Sequence, residues 1–171
     1  MDNEVKSIGH GTTFDENIEL DNREELHRQI RRLSEMVGRR ARRYHYSGRT
    51  VTLGIRYSDF SSFHKQHAIA DYINQGEDIC WVAIGILEPI ELRLSIRHAS
   101  VTLSQLRKGI VQPSLFGSSA QKIKTTAAMD IINDEYGEFT ITQGRLLYLR
   151  KHARVIAPAY RPAGPHKIEM E

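Results

Sequence analysis

A single cysteine, Cys80, stands in 171 residues. No internal disulfide can form, and no multi-cysteine zinc or iron–sulfur site can be built. A reducing compartment is expected, with the cytoplasm as the default. No run approaches 18 consecutive apolar residues, which excludes a membrane-spanning helix. The opening MDNEVKSIGHG lacks the basic and apolar stretches of a signal peptide. Prolines number five, three of them between 158 and 165, and the tail 158–171 is expected to be disordered. What remains is ordinary: 40% apolar and 26% charged residues, in a length that suits one domain plus a tail.

The net charge of +3 hides a separation of sign. Residues 1–27 hold eight acidic side chains against two basic ones, and residues 28–67 hold ten basic against two acidic. A polyanion would feel that asymmetry. An arginine-rich solvated helix face would produce the same count.

Periodicity then divides the chain. Residues 7–14, with Ile, Thr and Phe around Gly9 and Gly11, suit a strand whose backbone lies close to something else. Asp21 and Asn22 are cap candidates for a helix over 22–46, in which Leu26, Ile30, Leu33, Val37, Ala41 and Tyr44 form one apolar stripe. Gly48 is expected to break that pattern. From Thr50 to Phe60 the period becomes two, with Val51, Leu53, Ile55 and Tyr57 on the buried side. Ser61 and Ser62 can turn the chain into a return strand over 63–69, completing a hairpin. A second helix is expected over 77–88, ending at Pro89, and a last strand within 94–103.

The expected fold is therefore α+β in the order βαββαβ: a four-stranded sheet with two helices on one face. The other face is left open, and the pattern puts Thr, Ser, His and Arg there with little acid, as a surface meeting phosphates needs. A polar outer face is also what any soluble sheet has. After residue 106 the character changes to a Gly-, Pro- and Ser-containing connection over 107–119. A helix over 121–136, a stop at Tyr136-Gly137 and a β-prone piece over 139–142 follow. The division expected is 1–106, an extension 107–157 and the tail.

Three stretches occur in a recognisable order. Lys6-Ser7-Ile8-Gly9-His10-Gly11-Thr12-Thr13-Phe14 comes first, Gly48-Arg49-Thr50-Val51-Thr52-Leu53 with Arg56-Tyr57-Ser58-Asp59-Phe60 second, and Ile96 to Leu106 third. Together they resemble the C-terminal little finger, or polymerase-associated, domain of Y-family translesion DNA polymerases of the bacterial DinB/UmuC type. The resemblance implies a sheet that lies in the DNA major groove, contacts phosphates and tethers a catalytic core to duplex primer–template. It implies contacts from Lys6, Ser7, Gly9, His10, Gly11 and Thr13 on the first strand and from Thr50, Thr52 and Arg56 on the second. The third strand would add Lys65, Gln66 and His67, and the fourth Arg97, His98, Ser100 and Thr102. His10 and Thr102 stand where relatives often have arginine, and Ser100 where they have glycine.

The family's aspartate motif and its Ser-x-Asp-Glu motif are absent, so this segment is expected to be non-catalytic and to hold no cofactor or metal of its own. The parent polymerase would use Mg2+. Gln112-Pro113-Ser114-Leu115-Phe116 is similar to the sliding-clamp-binding pentapeptide, with Gln112, Leu115 and Phe116 as anchors and Pro113 in place of the usual leucine. An alternative reading makes the chain a stand-alone adaptor that reaches the clamp through 112–116. A small unrelated enzyme ranks below both, because no acid–base or nucleophile set assembles from the pattern. His64 and His67, three apart on a strand, face opposite sides and cannot share a metal. Trp81 is expected to pack near the core stripe of the second helix, and Cys80 to be buried and inert.

Overall fold

The computed structural model describes residues 5–109, 120–137, 140–142 and 144. Its elements are β1 (Ser7–Ile18), α1 (Arg23–Arg43), β2 (Tyr46–Tyr57), β3 (Ser62–Ile73), α2 (Gly76–Leu87), β4 (Ile96–Ser104), β5 (Arg107–Lys108) and α3 (Ala120–Tyr136). The βαββαβ order is observed, followed by a two-residue strand the periodicity could not reveal. Strands run antiparallel in the order β1-β4-β2-β3, and β5 pairs with the start of β2. No helix among the described residues is long and apolar enough to cross a membrane.

Helix α1 begins where its capping residue allows. The Asn22 side chain accepts the Glu25 backbone N–H at 3.3 Å, and Glu24 and Glu25 sit in the first turn, where the helix dipole favours acid. The helix stops at Arg43 rather than at 46. His45 takes a left-handed φ of 58° and its N–H donates to the Arg42 carbonyl, the terminating role usually given to glycine. Gly48 is thus not the breaker. It lies inside β2, where a β-carbon would stand 2.6 Å from the Leu103 side chain and 2.9 Å from the Ser104 carbonyl oxygen.

Both α1 and α2 cover one face of the sheet. Leu26, Ile30 and Val37 of α1 and Ile79, Ala83 and Leu87 of α2 are fully buried with Val51, Leu53, Val101 and Leu103. Full burial of each Leu or Ile contributes roughly 1.5–3 kcal/mol, which makes this layer the main stabilising element. Cys80 is buried too, and burial raises its thiol above the ordinary range.

Trp81 departs from expectation: it is 62% exposed. At 100° per residue it falls in phase with Glu77, Gly85 and Glu88, the solvent stripe of α2, while the buried arc passes through Ile79, Cys80, Val82 and Ala83.

Helix α3 docks on α1 through charge. Arg42 donates to both oxygens of Asp130, at 2.6 and 3.0 Å, to Glu35 at 3.1 Å and to the Asn74 carbonyl at 3.0 Å. Arg39 meets Asp134 at 2.8 Å. Burial works against the Arg42 charge, but Asp130 and Glu35 outweigh it and hold the guanidinium more firmly protonated than usual. Gly137, at φ 104°, ends α3 at the expected stop. Of the β-prone piece 139–142, the described residues form a bend and not a strand. The Asn133 side chain satisfies both the N–H and the carbonyl of Ile141, at 2.9 Å each, so no strand partner is needed. The pentapeptide 112–116 and the tail 158–171 lie outside the described residues.

Candidate nucleic-acid interface

Antiparallel pairing puts directly opposed residues on the same face, so the register alone maps the side that no described helix covers. Four rungs cross it in strand order. They are Ser7–Ser104–Thr50–Ala68, Gly9–Thr102–Thr52–Gln66, Gly11–Ser100–Gly54–His64 and Thr13–His98–Arg56–Ser62. None of these positions carries Asp or Glu. The side chains are short hydroxyls and hydrogens in the middle, with two histidines and an arginine toward one end.

Most of the expected contact residues are brought together here: Ser7, Gly9, Gly11, Thr13, Thr52, Arg56, Gln66, His98, Ser100 and Thr102. Lys6 is exposed just ahead of Ser7. Thr50 belongs to the same face by register, yet it is 4% exposed and its hydroxyl is buried without a hydrogen-bond partner, so it cannot meet a ligand.

Three residues are on the other side. His10 pairs with Val101, which pairs with Leu53, and it is 5% exposed on the helix-covered face. Burial first, and the nearby Arg40 charge second, push its pKa down to about 3, so it is neutral at physiological pH. Lys65 opposes Leu53 and His67 opposes Val51, which assigns both to the helix side of the edge strand, where they remain exposed. The three-residue stretch was read as one contact surface, but strand alternation sends its middle member, Gln66, one way and its neighbours the other. His64 joins the open face by the same alternation, although it was not among the expected contact residues. Counting back two from Gln66 finds it, opposite Gly54. His64 and His67 do register on opposite faces.

Arg97 occupies an irregularity. Arg56 opposes His98 and Tyr57 opposes Ile96, leaving Arg97 as the extra residue of a β-bulge. Its guanidinium lies over the Phe60 ring, 5.1 Å from the centroid. His98 Nδ1 and the Thr13 hydroxyl are 3.1 Å apart. Partial burial, then Arg56 and His64, lower the His98 pKa, so that imidazole is also neutral near pH 7.

The arginines of α1 contribute little field to this face. They stand on the helix side, where Arg28 meets Glu24 and Glu25, Arg39 meets Asp134, and Arg42 meets Glu35 and Asp130. Part of the basic segment seen in the sequence is thereby engaged in ion pairs on the helix side.

The profile of the impB/mucB/samB family C-terminal domain matches residues 5–115. A DNA polymerase IV from Desulfatibacillum aliphaticivorans is 33% identical over 149 residues, covering 84% of this chain and 37% of that protein. A DNA polymerase IV from Clostridium kluyveri is 33% identical over 163 residues, covering 87% of this chain and 40% of that protein. The chain thus spans well under half the length of these relatives. A post-insertion binary complex of Dbh DNA polymerase shares the fold, with a TM-score of 0.51 and 14% identity over 63% of this chain and 31% of that one.

Proposed function

This chain belongs to the impB/mucB/samB family as its C-terminal domain, the little finger of Y-family DNA polymerases, and we propose that its open sheet grips the sugar–phosphate backbones of primer–template duplex. The single observation that carries this reading is the composition of the four rungs. They form a hydroxyl- and glycine-rich floor free of carboxylates, ending in Arg56 and His98, with Lys6 and Arg97 at the margins. Short hydroxyls donate to phosphate oxygens without reading bases, and the cations release condensed counterions on binding. Binding of this kind positions a polymerase with little sequence preference. The chemistry of phosphoryl transfer, with its Mg2+, would reside in the rest of a parent translesion enzyme acting in DNA damage tolerance.

A fluorescence-anisotropy titration with blunt duplex tests this. A log–log salt slope of about −2 to −3 is expected, from some three phosphates neutralised by Lys6, Arg56 and Arg97 at about 0.9 each. Salt-independent binding would refute it. Contact with the sliding clamp through Gln112, Leu115 and Phe116 belongs to the same proposal and rests on the pentapeptide. Deletion of 112–116 should abolish recovery on immobilised clamp and leave duplex affinity unchanged; undiminished recovery retires that part.

A further inference from the structure

We propose that Phe60, backed by Arg97, is a stacking site for an unpaired nucleobase next to the duplex held by the sheet. This rests on the duplex-binding reading and adds to it a second kind of nucleic-acid contact.

Phe60 occupies the tip of the β2–β3 hairpin in a conformation few side chains adopt, with φ 68°. A left-handed residue bearing a β-carbon is sterically strained, a strain that Gly or Asn would largely avoid at such a turn. Burial does not offset that cost, because the residue is 66% exposed.

The surrounding turn is fixed on both sides. Asp59 Oδ1 accepts the Ser61 backbone N–H at 2.9 Å and the Ser61 hydroxyl at 2.6 Å, and these bonds hold its carboxyl below the usual range. Tyr57 N–H donates to the Ser61 carbonyl and Phe60 N–H to the Tyr57 carbonyl, while Ser58 N–H donates to the Ser95 carbonyl of the segment entering β4. A rigid scaffold therefore presents an exposed ring in a strained conformation, a combination that recurs where side chains are displayed for a ligand.

The setting selects the ligand. Arg97 lies over the ring and Arg56 stands on the adjoining rung, two cations against the single carboxylate of Asp59, so the local charge is net positive. Trp81, another large exposed aromatic among the described residues, stands on the solvent stripe of α2, on the helix side and away from the open face. A base inside a duplex is already stacked on both sides, whereas an unpaired base has a free π face that an aromatic ring can cover without regard to sequence. The flanking cations suit the phosphates on either side of it.

The test uses the 171-residue chain and two DNAs of equal duplex length. One is blunt, and the other carries a short 5′ overhang with 2-aminopurine at its first unpaired position. The overhang DNA should bind about fivefold or more tightly, the lower end of what one base–aromatic stack is worth, with quenching of the 2-aminopurine. Phe60→Ala should erase the preference and the quench while blunt-duplex affinity stays within about twofold. Phe60→Asn, which suits the left-handed turn, should do the same with an unchanged or higher Tm, so that a folding defect cannot mimic the result. Phe60→Trp should restore both signals. Equal affinity of the wild type for the two DNAs, or equal weakening of both by Phe60→Asn, overturns the stacking site. Absence of binding to either DNA overturns the duplex reading along with it.

Discussion

The imidazole of His64 folds over Gly54, its partner across the hairpin, so that a β-carbon at position 54 would lie 2.6 Å from His64 Cδ2 and 2.4 Å from Ser100 Oγ. Glycine in the centre of this sheet therefore keeps room for two neighbouring side chains to lie flat.

From this, Gly54→Ala should push His64 and Ser100 outward. Overpacking of this kind costs typically 1–3 kcal/mol, and thermal denaturation should show a Tm lower by several degrees. Duplex affinity should fall as well, because the floor is no longer level. Adding Ser100→Gly should recover part of both losses, since the two sites share the same space. Strict additivity of the two substitutions would contradict the picture.

Arg56 is exposed at the end of a rung, whereas His67 lies on the helix side of the edge strand. Arg56→Ala should weaken every duplex alike and reduce the magnitude of the salt slope by about 1. His67→Ala should leave both affinity and slope unchanged. Selective loss for one sequence in the Arg56 variant would indicate base reading instead.

His10 accepts no proton in the folded chain until about pH 3, while an unfolded chain takes one near 6.5. Below 6.5 the unfolded state therefore binds more protons, and this group's contribution to stability, whole above pH 6.5, drains away toward pH 3. The slope is about 1.4 kcal/mol per pH unit. In urea denaturation between pH 7 and 4, the wild type should lose stability faster than His10→Leu, which also removes a buried ring nitrogen without a hydrogen-bond partner. Parallel pH profiles would show that His10 ionises freely in the fold. Duplex affinity at pH 7.5 should be untouched by this substitution.

Asp130→Asn should release α3. Arg42, only 12% exposed at its side chain, would keep Glu35 but lose its main partner, and breaking a charge-assisted contact of this kind costs roughly 1–3 kcal/mol. Hydrogen exchange across residues 120–136 should accelerate markedly, with the strands β1 to β4 protected as before. Uniform acceleration throughout the chain would mean that α3 is integral to the core.

The layered fold was legible because its signals are periodic: the α1 stripe from Leu26 to Ala41 and the alternation from Val51 to Tyr57 both report burial directly. Boundaries were less so. Nothing in the sequence marks His45 as the residue that ends α1 in a left-handed conformation, and β5 needs its partner, Tyr46–Ser47, before two residues can be a strand. The site was half legible. Alternation within each strand already separates His10 from Gly9 and Gly11, and Lys65 and His67 from Gln66, but which of the two sets meets the open face took a register that only pairing supplies. The arginines of α1 misled by their number, since sequence does not reveal that Asp130 and Asp134 return from some ninety residues away to meet them.

The first residue of β1 and the last of β4 are partners, Ser7 opposite Ser104. A tension applied between those two points would act on a single rung at a time, opening the ladder like a zipper from its end. The same strands dragged lengthwise would have to surrender all their bonds together. The edge pair of this small sheet is thus softer to peeling of Ser7 away from Ser104 than to sliding of β1 along β4.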